Sequence, residues 1–271
     1  MEEMAKKTKR ILLTSAKGGV GVGFVTVNLA LALCRRGCHV LLVDANPVCR
    51  TLDTILGCEG DVIYDISDLA AHRVDIDTAL LSPLGEGGPQ LLPGAFSSEA
   101  AVGGRKLTAV LGELAATEHF DFILVDAPAL PETVATATAY DRICVPTDPS
   151  ALSLRAAEGC GVAFTSAGAR EVMLVINRFS LLPPRESGQD KAILMLDAAR
   201  LPLLAIIPIV GELTETAHRY VGKYPRLDGR AFRGEAAKIA FDHMAGRLLG
   251  LEIPLLSDIR AVRSYRRKLL Y

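Results

Sequence analysis

Residues 11–24 read Ile-Leu-Leu-Thr-Ser-Ala-Lys-Gly-Gly-Val-Gly-Val-Gly-Phe. Residues 11–15 form a short apolar run, residues 17–23 are rich in glycine, and residues 24–36 repeat apolar positions at helical spacing until Gly37 interrupts them. The order is strand, loop, helix. Residues 39–43 follow as a second apolar strand ending in Asp44, which completes a β-α-β unit and predicts parallel strands in a doubly wound sheet. A loop in this position can turn a row of backbone N–H groups toward phosphate beside the positive end of a helix, although a tight glycine turn would satisfy the same pattern.

The alternation continues outward. Residues 90–92, 122–125, 142–146, 171–176 and 204–207 are continuous apolar runs of the kind required by parallel strands covered on both faces. Helices are expected over 107–118, 152–163, 192–196 and from 233 to about 251, and loops over 83–89 and 180–190, where Pro, Gly and charge accumulate. The expectation is a three-layer α/β domain with a mostly parallel sheet over residues 1–252, followed by a basic tail at 253–271.

Half of the 271 residues are hydrophobic, enough to bury a sizeable core in one domain. Thirty Lys and Arg face 31 Asp and Glu, so there is no overall positive charge to attract nucleic acid, and specific nucleic-acid binding is not expected. The charged first ten residues lack the apolar run of a secretory signal, and no apolar stretch reaches the roughly 18 residues of a membrane span. A cytoplasmic protein is expected. The six cysteines have no C-x-x-C spacing and sit mainly among apolar or small residues, which reads as reduced core thiols.

In detail, Lys17-Gly18-Gly19-Val20-Gly21-Val22-Gly23 resembles the variant phosphate loop of the MinD/ParA family, Lys-Gly-Gly-x-Gly-Lys-Thr/Ser. Lys17 matches the family's signature lysine, and Gly18, Gly19 and Gly21 match its glycines. Val22 stands where the phosphate-binding lysine belongs, and Gly23 stands where the magnesium-binding hydroxyl belongs. The resemblance implies a P-loop NTPase fold and contact of residues 18–23 with ATP or ADP. It also implies that Lys17 reaches across a homodimer to the partner's nucleotide. Losing an ammonium on the phosphates and a hydroxyl on Mg²⁺ falls on catalysis, so restoring both side chains is expected to raise nucleotide affinity.

Further motifs follow in the family's order. In Leu41-Leu42-Val43-Asp44-Ala45-Asn46, Asp44 matches a family acid, while Asn46 replaces the second acid that places the attacking water. An amide keeps hydrogen bonds without the charge or basicity of a carboxylate. Residues 120–129 resemble the Walker B strand, and Asp126 at its end is the residue expected to hold Mg²⁺ through water. Asn177 and Pro208 match positions that lie near the adenine base in the family, and residues 147–155 resemble the segment before its dimer-facing helix.

In the tail, Leu255, Ile259, Val262, Tyr265 and Leu269 recur at helical spacing opposite a basic face. Such a helix can lie on an anionic membrane, dock on its own domain, or bind an acidic partner or nucleic acid. The resemblance implies the first of these: a MinD-like, nucleotide-dependent regulator of division-site placement. It would sit peripherally on the inner face of the cell membrane, dimerise on nucleotide, recruit a protein regulator of division, and hydrolyse ATP weakly or not at all. A non-enzymatic localisation scaffold of the TadZ/CpaE type and a ParA-like partitioning ATPase remain as alternatives.

Overall fold

The computed structural model of the protein describes residues 7–46, 49–180, 199–209 and 235–257. Among these, seven strands form one parallel sheet: β1 (Lys9–Leu13), β2 (Val40–Asp44), β3 (Gln90–Leu92), β4 (Phe122–Asp126), β5 (Arg142–Thr147), β6 (Val172–Phe179) and β7 (Leu203–Pro208). Their order across the sheet is β3-β2-β4-β1-β5-β6-β7. Each expected apolar run becomes a strand, and β6 continues beyond its expected end to Phe179.

Alternate residues of each strand point to opposite faces and feed two cores. Ile11, Leu13, Leu42 and Leu124 belong to one core. Leu12, Leu41, Val43, Ile123 and Val125 belong to the other. The first is covered by α1 (Val22–Cys34) and by α2 (Leu52–Leu56). The second is covered in part by α3 (Ile66–Ala70) and α4 (Ile76–Ala79), and by α5 (Gly104–Ala116), α6 (Pro131–Val134) and α7 (Ala151–Ser166). Helix α8 (Glu235–Leu248) returns to the first face beside β7 and over α1. That cover explains why every residue from Val25 to Leu33 is buried: α1 lies between the sheet and another helix, and so has no polar outer face over this stretch.

The short helices α2, α3, α4 and α6 were not expected from periodicity, because four or five residues are too few to show it. Their starts are nevertheless written locally. Asp65 and Asp68 form a reciprocal capping box on α3, Asp75 caps α4 through Thr78 N–H, and Pro131 opens α6. The helix expected at 192–196 and residues 181–190 of the expected loop lie outside the described residues. No helix among the described residues is long and apolar enough to cross a membrane.

The end of α8 is tied to the amino-terminal edge of the sheet. Arg247 donates from Nη1 to the carbonyl of Leu204, near the start of β7, at 2.8 Å, and from Nε to the carbonyl of Ile253 at 2.7 Å. Arg142, the first residue of β5, donates to the Leu248 carbonyl at 3.3 Å. The chain then folds back on the domain: a Cβ on Gly246 would lie 2.5 Å from Ile253 Cδ1, and Leu256 packs against both cores. Leu255 is half-buried, whereas Ile259, Val262, Tyr265 and Leu269 lie outside the described residues.

Candidate functional site

Strand β1 lies between β4 and β5; the chain leaves β1 for β2 on one side and later crosses from β4 to β5 on the other, so the carboxyl end of β1 is the switch point at which an α/β sheet offers a ligand crevice. The loop after β1 lies there and leads directly into α1. A Cβ added to Gly18 or Gly19 would meet nothing within 4 Å. The N–H groups of Gly18, Gly19 and Gly21 donate to no other group among the described residues, while Val20 closes a turn over Gly18 and Gly19. Gly21 is the N-cap of α1 with φ of 91°, a left-handed conformation that suits glycine. With no acid in its first turn, α1 adds an unopposed positive end to these N–H groups. This half of the crevice is open and suited to an anion.

The next turn is different in character. Val22 packs against the first core, so its side chain joins the apolar interior. Thr26 turns back to donate to the Val22 carbonyl at 2.9 Å and is fully buried, which leaves it no role at the crevice. At Gly23 the space is already occupied. An added Cβ would lie 2.9 Å from Thr51 Oγ1, 3.1 Å from Ile55 Cδ1 and 3.2 Å from Asp126 Oδ2.

Asp126, at the end of β4, is 3% exposed, and its carboxylate accepts no hydrogen bond among the described residues. In the sheet register it lies beside Asp44 on β2. Burial, reinforced by the Asp44 charge, pushes its pKa well above the usual carboxylate value. A buried acid without a donor is what a cation, directly or through water, would satisfy.

Asp44 is committed elsewhere. It is fully buried, with Oδ1 accepting Asn46 N–H at 3.1 Å and Oδ2 accepting Thr51 and Leu52 N–H at 2.9 and 3.0 Å. Burial raises its pKa, with those three bonds working against the rise. Asp44 therefore organises the segment that carries Asn46 and Thr51. Asn46 Oδ1 accepts Cys49 N–H at 3.2 Å within the same turn. Arg50 pairs with buried Asp53 at 2.7 Å and stacks 4.4 Å from the centre of the Phe96 ring, which fixes the start of α2.

Asn177 sits where β6 changes register against β7, and the following Arg178 has φ of 55°. This irregularity aims Asn177 inward, where Nδ2 donates to the Val20 carbonyl at 2.9 Å and Oδ1 accepts Arg178 N–H at 2.9 Å. In this structure the amide braces the phosphate loop. Pro208 ends β7, buried, at the same edge of the sheet.

Lys17 folds back within its own chain. Its Nζ donates to Asp148 Oδ2 at 3.1 Å and to Ser153 Oγ on α7. Burial alone would raise the Asp148 pKa, but hydrogen bonds from Ser150, Ser153 and Lys17 outweigh it and hold the carboxyl at about 2. Thr51, Asp148 and Ser153 are the site neighbours that motif reading did not single out. Asp148 and Ser153 lie inside the quoted 147–155 segment, but nothing in Thr51's local sequence separates it from an ordinary cap.

A family model described as "ParA: NUBPL iron-transfer P-loop NTPase" matches residues 6–217. The septum site-determining protein MinD of Synechocystis is 30% identical over 271 aligned residues, covering 96% of this chain and 98% of that protein. Among solved structures, MinD in the MinC:MinD cell division complex of Aquifex aeolicus has a TM-score of 0.78 at 28% identity, covering 92% of this chain and 98% of the other. MinD of Pyrococcus horikoshii, solved with Mg-ADP, has a TM-score of 0.71 at 25% identity, covering 91% and 100%. The chain shares its fold with these proteins over about nine-tenths of its length, and it belongs to the ParA/MinD family of P-loop NTPases.

Proposed function

We infer that this protein is a MinD-like regulator of division-site placement that binds ATP or ADP with Mg²⁺, while its hydrolytic turnover is weak or absent. One observation carries the reading: the loop leading into α1 has unengaged N–H groups at Gly18, Gly19 and Gly21 and open space at Gly18 and Gly19, and the donorless carboxylate of Asp126 lies at the same end of the sheet. These groups fit a magnesium-bound polyphosphate. The loop from Gly18 to Gly23 would hold the phosphates and Asp126 would meet the metal through water; Asn177 and Pro208 would shape the base end. Mg²⁺ would neutralise phosphate charge when bound.

The chain's own residues account for slow chemistry. Val22 contributes no charge to the phosphates, Gly23 no oxygen to the metal, and Asn46 no carboxylate for water. Asp44 supports the reaction only by shaping the loop that holds Asn46. Lys17, released from Asp148, would act across a homodimer. Residues 1–252 would form the regulatory domain, and the tail at 253–271 would place Leu255, Ile259, Val262, Tyr265 and Leu269 in an anionic membrane surface on the cytoplasmic side. The protein partner would be a division regulator, as MinC is for MinD in the Aquifex complex.

Calorimetry with ATP and ADP, each with Mg²⁺, should show binding, and a phosphate-release assay should show little or none. Sedimentation with anionic liposomes should pellet the full chain but not a chain ending at Ser257, which keeps the docked Leu256. No nucleotide binding would remove the switch, and equal pelleting would remove the membrane tail.

A further inference from the structure

We propose that the Thr51 hydroxyl has taken over from the missing hydroxyl at position 23 as the protein's own oxygen ligand to the divalent cation of the bound nucleotide. This rests on the nucleotide reading above. It names a residue from a different segment of the chain as part of the site.

Three observations converge. First, a side chain at Gly23 would collide with Thr51: its Cβ would lie 2.9 Å from Thr51 Oγ1, with Ile55 closing the remaining space at 3.1 Å. Thr51 therefore brings a hydroxyl oxygen to the place where a Ser or Thr at position 23 would have carried one. Second, this hydroxyl is not used as its position in the fold would suggest. Thr51 is the N-cap of α2, where a threonine ordinarily accepts a bond from the first turn, yet its hydroxyl makes neither a cap bond nor any other hydrogen bond among the described residues. Its backbone is held firmly, with N–H on Asp44 Oδ2 and carbonyl accepting Ile55 N–H at 2.9 Å. Third, Asp126 Oδ2 lies 3.2 Å from the same point at position 23, buried and without a donor.

Mg²⁺ and Mn²⁺ prefer oxygen ligands and keep several waters, so a neutral hydroxyl on one side and a carboxylate reached through water on the other suit such an ion. The exchange has a consequence for control. A hydroxyl on the phosphate loop belongs to a fixed part of the site, whereas Thr51 belongs to the segment that also carries Asn46 and Arg50. Cation binding would therefore brace that segment directly.

The test uses the full chain. ADP binding is measured by calorimetry in Mn²⁺ and in EDTA, with free Mn²⁺ followed by electron paramagnetic resonance. Wild type should bind ADP more tightly with Mn²⁺. Thr51→Val, which keeps the shape and removes the oxygen, should lose about tenfold or more of that enhancement and leave affinity in EDTA unchanged. Thr51→Ser should retain the enhancement, and Gly23→Ser combined with Thr51→Ala should restore it. If Thr51→Val binds Mn-ADP as wild type does, or more tightly, Thr51 is a plug and the proposal is overturned while the nucleotide reading stands. If wild type binds no ADP in either condition, both fall together.

Discussion

Replacing Gly23 by alanine adds a single methyl group, and the structure fixes what that methyl meets. Gly23 is the second residue of α1 and does not have a positive φ, so alanine suits its backbone. Gly-to-Ala changes at such positions stabilise by about 0.4–1 kcal/mol. Against this stand contacts at 2.9, 3.1 and 3.2 Å, all tighter than ordinary van der Waals contact. Thr51 can turn its hydroxyl, but Ile55 sits on α2, whose Leu52 and Leu56 are locked into the core, and Asp126 is at the end of a central strand. Overpacking of this kind costs about 1–3 kcal/mol, so the net effect should be a loss of about 1 kcal/mol. In a Thr51→Ala background the closest contact is gone, and the same substitution should be neutral or mildly stabilising, a coupling of about 1 kcal/mol. Urea unfolding of the four proteins with matched slopes measures it. If Gly23→Ala stabilises both backgrounds equally, the packing argument is wrong. The same contacts correct the expectation that restoring Lys and Thr at positions 22 and 23 would be enough: a Thr at 23 needs room, and restoration should require Thr51→Ala as well.

Gly21→Ala places a Cβ 2.6 Å from Asn177 Nδ2 at a φ of 91° and should destabilise by more than about 2 kcal/mol, combining left-handed strain with a broken brace on Val20; a midpoint within experimental error of wild type would refute this. Asp126→Asn should stabilise the protein in EDTA near neutral pH. Because burial and Asp44 raise the folded pKa of Asp126, its neutral form contributes stability that is complete below about pH 4 and is lost as pH rises toward the folded value. The advantage of the variant should vanish in acid, and parallel stability–pH curves for the two proteins would contradict it. Asp148→Ala should loosen Lys17, leaving it only Ser153, and raise the dimer fraction with a non-hydrolysable ATP analogue about fivefold, given the modest strength of a partly exposed ion pair; analytical ultracentrifugation showing no increase would count against the latch.

Sequence reading succeeded where the physics is repetitive. Continuous apolar runs such as 122–125 admit little besides a buried strand, and the glycine-rich stretch between the first strand and the first helix was legible as a loop. It was weaker where function depends on which group a polar atom reaches. Asn177 is placed near the base by resemblance alone, and nothing in its sequence foretells that its amide also braces the Val20 carbonyl. Asp44 matches a family acid, and nothing in its local sequence shows that its oxygens meet three backbone N–H groups of its own loop. The relation between Gly23 and Thr51 could not be read at all, since a missing side chain on one helix and a hydroxyl on another become one fact only when the chain is folded.

The anchoring of α8 sets how far a bound nucleotide can act through one subunit. Arg247 and Arg142 secure the last turn of that helix to the amino-terminal edge of the sheet, across the strands from the glycine loop. With a tightly packed sheet in between, a nucleotide held at the loop would have no short lever on that helix end. If the tail anchors the protein to a membrane as proposed, the simplest control of that grip would be to bring two chains together, since two weak anchors held side by side bind far longer than either alone.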